Sequence, residues 1–324
     1  MILLSTYNYL TLLVLLFNGC TQNIVQLLNE PKSQHYKIKN YSIENMNEVR
    51  LTSGQIITYK ESGEGSDILL LIHGLGSNHK AWNKLTPLLE DKYKLIAIDL
   101  PQYLDQEKPG PIGMMAYAKM VKEFIDIMGI QNANIVGHSM GGQISLHLAS
   151  SYPESVNKLI LIAPAGIETF SLQEREWFFK IATKEYYSSL NDTKIEQNFN
   201  INFSGGKMPA DARFMYEDRL KIKADSTQYS RYLDWYTNCV YSMLNEPIFD
   251  KLEEIKTPTL VLYGSDDYLI PNKILHPKIT TENILEYSKA LPRSTQVLIS
   301  NAGHFLQWDQ PERVSEEISN LLDH

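Results

Sequence analysis

Residues Ile135 to Ile144 read IVGHSMGGQI: two β-branched residues, then Gly-His-Ser-Met-Gly, then residues that suit a helix. The pattern predicts a short buried strand, a tight turn and a helix, with Ser139 at the corner. Gly137 and Gly141 stand two places to either side of the serine. A side chain at either position would crowd a turn that lifts the Ser139 hydroxyl clear of the sheet. The same pentapeptide also arises by chance in loops, so the rest of the chain decides what it is for.

Working outward, the runs DILLLIHG (67–74), YKLIAIDLP (93–101), ANIVGHS (133–139), KLILIAPAG (158–166), PTLVLYGSDD (258–267) and TQVLISNAGH (295–304) are each short, apolar and free of polar alternation. Strands buried on both faces look like this. Helical patterns such as Met114–Met128 and Met140–Tyr152 lie between most of them. Strand–helix–strand repetition predicts an α/β fold with a mostly parallel sheet covered by helices on both faces. SIENMNEVRL (42–51) and GQIITYKES (54–62) read as an opening antiparallel pair. The core is expected over 41–164 and 253–324. The interval 165–252 shows only aromatic-rich helical patterns, such as EREWFFKIATKEYY and YSRYLDWYTNCVYSML. It is too long for a simple crossover, and an inserted helical cap is the expectation. Trp177, Phe178, Tyr232, Trp235 and Tyr236 recur at helical spacing and are expected mainly in its core.

The chain has 324 residues, 43% hydrophobic and 21% charged, with a formal net charge of -8 and no basic stripe. That balance argues against nucleic acid as a partner. The N-terminus stands apart. Tyr9–Phe17, YLTLLVLLF, is an apolar run of signal-peptide length that ends in Asn18-Gly19-Cys20. It resembles a bacterial lipoprotein signal over residues 1–20, although no Lys or Arg precedes the apolar run. The implied picture is export, a polar tether over 21–40 and membrane attachment through lipidated Cys20. An ordinary cleaved signal or a signal anchor are the alternatives. Cys239 is then unpaired and expected to be a small buried filler.

A serine hydroxyl is a weak nucleophile at neutral pH, and needs a base that is itself oriented by an acid. Asp266 and Asp267 follow one predicted strand and His304 follows the last, giving the chain order Ser, acid, His. His304 is the candidate to take the Ser139 proton and return it to the leaving group. His73-Gly74 ends an early strand. The backbone N–H groups of Leu75 and Met140 are the candidate oxyanion donors. His138 is expected to pack, and His73 to shape its loop. No His/Cys/Asp cluster has metal-ligand spacing, and a side-chain nucleophile needs no cofactor, so neither is expected.

The motifs HGLG, GHSMGG, GSDDYLIP and NAGHF, with Pro164–Gly166 opening the cap, resemble those of the α/β-hydrolase-fold serine hydrolases over roughly residues 43–322. The family's Gly-x-x-Asp-x-x-x-Pro pattern, matched by Gly264 and Pro271, implies Asp267 as the acid. GHSMGGQ…YP…LILIAPAG is most similar to the monoacylglycerol lipase and esterase branch. The resemblance implies a carboxylic ester hydrolase acting on a small-molecule or lipid ester, such as an acylglycerol, through an acyl-enzyme. Gln102 and Leu104 stand where the family usually has Gly and Ser, which bears on substrate shape. A serine nucleophile excludes the dehalogenase and epoxide hydrolase branches. C–C bond hydrolases of the same fold are the alternative reaction. A non-catalytic lipid-binding or adhesive lipoprotein is the alternative class, and would leave the serine, acid and histidine idle.

Overall fold

A computed structural model describes residues 46–101 and 112–323. The expected signal over 1–20, the expected tether over 21–40, Cys20, Gln102 and Leu104 lie outside the described residues. The strands are β1 (Asn47–Arg50), β2 (Ile56–Ser62), β3 (Ile68–Ile72), β4 (Lys94–Asp99), β5 (Ala133–His138), β6 (Val156–Ile162), β7 (Thr259–Gly264) and β8 (Ser294–Ile299). They form one sheet in the order β1-β2-β4-β3-β5-β6-β7-β8. The β1/β2 and β2/β4 pairs are antiparallel and every other pair is parallel. In register, Leu71 lies beside Ala97 and Val136, Val136 beside Ile160, and Ile160 beside Leu260.

Burial follows the sequence pattern. Every residue of β5 and β7 is buried, as required of strands with helices against both faces. β2 instead buries alternate residues, Ile57 and Tyr59, as in an antiparallel strand with one face toward the core. Strand order reverses at β3, with β4 on one side and β5 on the other. In open α/β sheets the crevice at such a reversal is where sites assemble.

The helices are α1 (Thr86–Leu89), α2 (Met114–Ile127), α3 (Met140–Ser151), α4 (Leu172–Ile181), α5 (Lys184–Ser188), α6 (Asp192–Asn200), α7 (Phe214–Ala224), α8 (Ser226–Asn245), α9 (Thr281–Tyr287), α10 (Leu306–Asp309) and α11 (Pro311–Asp323). Between β6 and β7 the described chain forms helices α4–α8 and no strand. The stretch EREWFFKIATKEYY is two helices rather than one. Ala182 leaves the helical region and the Thr183 side chain accepts from the Tyr186 N–H, restarting the chain as α5. Helix α4 has no buried residue, so Trp177 and Phe178 are half-buried, whereas Tyr232 and Trp235 of α8 are fully enclosed.

Helix α8 is stitched to the helices beside the sheet. Gln143 Nε2 donates to the carbonyls of Met243 and Glu246, and Trp235 Nε1 donates to the Tyr117 hydroxyl. Cys239 is buried on the same helix, and burial pushes its thiol up to about 12, which leaves it unreactive near neutrality. A second, smaller apolar cluster joins Ile195, Phe203, Met215 and Tyr216 of this helical region to Phe305 and Trp308 near the C-terminus.

Leu70, with no exposed surface in β3, and Leu88, 43% exposed, offer the same substitution in opposite settings. Leu70→Ala is expected to lose about 3 kcal/mol of stability through lost burial and the cavity left behind. Leu88→Ala should stay within about 0.5 kcal/mol of the parent in urea unfolding.

Candidate active site

Ser139 sits between the end of β5 and the first residue of α3 with φ 53° and ψ -117°. A non-glycine residue with positive φ carries strain on the order of 1–3 kcal/mol, which the surroundings must hold in place. Here they do. The Ser139 N–H donates to the Ile162 carbonyl, and its own carbonyl accepts from the N–H groups of Gly142, Gln143 and Ala165. A Cβ on Gly141 would lie 2.2 Å from the Ile72 carbonyl oxygen, and one on Gly137 would lie 2.5 Å from that of Gly141. Strand β3 and helix α3 therefore approach more closely than any side chain at Gly141 permits.

That approach brings the β3 loop against the serine. A Cβ built on Gly74 would stand 3.1 Å from Ser139 Cβ. His73 is fully buried behind the loop. Its Nδ1–H donates to the Gly74 carbonyl at 2.8 Å, and its Nε2 accepts from the Leu100 N–H at 3.0 Å. Burial lowers its pKa, so the neutral ring holds this two-way brace. Met140 begins α3, and the first N–H groups of a helix have no intrahelical acceptor. The Leu75 N–H comes from the loop that Gly74 brings beside the serine.

Two carboxylates follow β7, and geometry separates them. Asp267 is 2% exposed, and its Oδ2 accepts from His304 Nδ1 at 2.9 Å. Its Oδ1 accepts from the N–H groups of Leu269 and Ile270, so both oxygens are fixed. Asp266 instead accepts from the hydroxyls of Ser204 and Ser265. With Nδ1–H given to Asp267, the neutral His304 ring carries its lone pair on Nε2. The loops bearing Asp267 and His304 meet because Gly264 lacks a side chain. A Cβ there would lie 2.2 Å from the Ala302 carbonyl oxygen.

His138, beside the serine, joins the two halves of the site. It is buried, its Nε2–H donates to the His304 carbonyl at 3.0 Å, and its ring lies 5.0 Å from that of His304. Burial, with a further electrostatic contribution from the adjacent His304 ring, holds its pKa well below the usual histidine range. At the C-terminal edge of the sheet the structure thus sets the Gly74–Leu75 loop against Ser139 and, through His138, ties the residue beside the serine to the loop of His304 and Asp267. Asp266 spends its two oxygens on the Ser204 and Ser265 hydroxyls.

The helices between β6 and β7 add a group that the sequence did not single out. A Cβ on Gly76 would lie 2.7 Å from both Arg219 Nη2 and the Tyr232 hydroxyl, so α7 and α8 roof the loop carrying Leu75. The Arg219 guanidinium lies 4.3 Å from the Tyr232 ring centre and 5.4 Å from that of Tyr236. Among the described residues no carboxylate pairs with it. In sequence Arg219 sits within EDRLKIK (217–223), which reads as a solvated charged face, so no local signal marks it.

The family model for the alpha/beta hydrolase fold matches residues 67–311, and the chain belongs to that family of hydrolases. The uncharacterized hydrolase YugF of Bacillus subtilis is 27% identical over 296 residues, covering 84% of this chain and 97% of that protein. A 2-hydroxy-6-oxononadienedioate/2-hydroxy-6-oxononatrienedioate hydrolase of Paraburkholderia phymatum is 26% identical, covering 82% and 90%. A thermophilic esterase of Thermogutta terrifontis superposes with a TM-score of 0.66 at 22% identity, over 86% of this chain and 98% of that one, which establishes likeness of fold. Relatives thus include a hydrolase of 6-oxo dienedioic acids, and the match does not single out the monoacylglycerol lipase branch.

His73, His138 and His147 all have pKa values lowered chiefly by burial. In the unfolded chain a histidine takes up a proton near pH 6.5, while these stay neutral in the native state to lower pH. The unfolded state then binds more protons, so stability is full above about pH 6.5 and falls as pH drops below it. The thermal midpoint is expected to fall from pH 7.5 to pH 5.5, and His138→Gln should flatten that slope.

Proposed function

We propose that this hydrolase cleaves carboxylic esters through an acyl-enzyme on Ser139, with His304 as general base and Asp267 orienting it. The observation that carries the reading is the 2.9 Å hydrogen bond from His304 Nδ1 to a buried Asp267, with the His304 carbonyl tied to His138, the neighbour of a serine held at positive φ. Ser139 Oγ attacks the ester carbonyl and its proton passes to His304 Nε2. The Leu75 and Met140 N–H groups hold the oxyanion, each worth ~3 kcal/mol of transition-state stabilisation. The tetrahedral intermediate collapses, and His304 gives its proton to the departing alkoxide. Water then repeats the sequence on the acyl-serine and releases the acid. The aromatic roof of Tyr232 and Tyr236 suits an apolar acyl chain, and a lipid-like ester such as an acylglycerol is the proposed substrate class.

Arg219 favours a second reading. A guanidinium with no carboxylate partner among the described residues, facing the loop that carries Leu75, matches a substrate that brings its own carboxylate. Hydrolysis of a 6-oxo dienoic acid, which breaks a C–C bond next to the ketone, meets that description. The relative from Paraburkholderia phymatum is named for such substrates.

One set of assays tests both. Rates are measured on p-nitrophenyl esters from acetate to palmitate and on 2-hydroxy-6-oxononadienedioate, using the chain without residues 1–20. Ser139→Ala should lower the rate at least about 10³-fold and Asp267→Asn about 10⁴-fold, whereas Asp266→Asn should remain near the parent. Arg219→Gln should spare neutral esters and selectively weaken turnover of the dioate. Full activity in Ser139→Ala would sink both readings, and turnover of the dioate alone would decide for C–C cleavage.

The N-terminal signal extends the proposal: residues 1–20 direct export and Cys20 is acylated, holding the enzyme at a membrane. Labelled palmitate should be incorporated by the full chain and lost in Cys20→Ser; equal labelling of both would refute acylation at this position.

A further inference from the structure

The loop bearing His304 is built jointly with the helical region between β6 and β7. Asp309 closes α10, and its Oδ2 accepts from two backbone N–H groups at once: that of Gly303, immediately before His304, and that of Ser204, in the segment between α6 and α7. Both distances are 2.8 Å. Next to this bridge the Phe305 N–H donates to the Asn202 carbonyl at 3.0 Å. The two backbones lie so close that a Cβ on Gly303 would sit 2.7 Å from the Asn202 carbonyl oxygen. Phe203, with no exposed surface, stacks on Phe305 at 5.4 Å.

We propose that Asp309 is a positioning residue for His304, tying the loop of the general base to the 202–204 segment of the helical region. The proposal rests on the reading of His304 as the base. His304 is held at its side chain by Asp267 and at its carbonyl by His138. Asp309 supplies the third restraint, at the peptide N–H just before it. One carboxylate oxygen receives two donors, which is the strong, charge-assisted form of a backbone hydrogen bond. Burial raises the Asp309 carboxyl above its usual range while the two N–H groups pull it back down, so the bridge stands in partly desolvated surroundings. The position of the base thereby depends on a segment that follows β6 by about forty residues, and Asp309 touches no reacting atom.

Three variants test this. Asp309→Ala is expected to lower kcat on p-nitrophenyl acetate between about ten- and a hundredfold, the scale of a misplaced catalytic group, with KM within about twofold. Asp309→Asn keeps the shape and one acceptor oxygen, should fall between, and carries the test if the alanine variant fails to fold. The far-downfield proton resonance of the His304–Asp267 hydrogen bond should move or broaden in both, a readout that needs no turnover. An unchanged kcat with an unchanged resonance, or a loss confined to KM, would overturn the role. Ser139→Ala measured alongside separates the failures. If it is inactive while the Asp309 variants are unimpaired, the positioning role falls and the nucleophile stands. If it is fully active, the nucleophile reading falls, and the resonance still decides whether Asp309 holds the His304 ring.

Discussion

At the C-terminal edge of the sheet, backbone meets backbone at distances that leave no room for side chains. The end of β3 lies against the start of α3 at Gly141, and the end of β7 lies against the loop after β8 at Gly264. Close packing of this kind is what lets residues from four strand ends converge on one spot. It also supplies the restraint that Ser139 needs, because a strained φ persists only where the surrounding structure over-determines it. Four backbone hydrogen bonds at Ser139 and the contact of β3 with α3 provide that restraint.

The electrostatics follow from the same packing. Asp267 is buried and accepts from three donors, which fix both of its oxygens and aim one at His304. His73 and His138, also buried, are kept neutral and serve as hydrogen-bond spacers rather than proton carriers. Histidines placed next to one another thus take different roles through their partners: one braces the β3 loop, one holds the His304 carbonyl, and one faces a carboxylate. Asp266, one residue from Asp267, points to Ser204 and joins the tie between the helical region and the sheet-end loops.

The helices between β6 and β7 form part of the site. Their α7 and α8 bring Arg219, Tyr232 and Tyr236 over the loop of Leu75, and their 202–204 segment shares Asp309 with the loop of His304. The roof over the Leu75 loop and the support of the His304 loop therefore come from the same helical region. Gln143, four residues after Ser139, joins that region to α3 through the Met243 and Glu246 carbonyls.

The sequence by itself determined the strands, their burial and the order Ser139, acid, His304. Continuous apolar runs and glycine-flanked turns are local signals, and the packing that they require is nearly independent of the rest of the chain. It also named Gly264 and Pro271 as the frame around Asp267. Tertiary structure alone turned Asp266 toward Ser204, while Asp267, the carboxylate implied by that frame, faces His304. It likewise decided the break between α4 and α5, the half-exposure of Trp177 and Phe178, and the meeting of Arg219 with Gly76. The last of these joins residues more than a hundred positions apart, as does the tie of Asp309 to Ser204. Such pairings leave no periodicity in the chain, and only the folded arrangement brings them together.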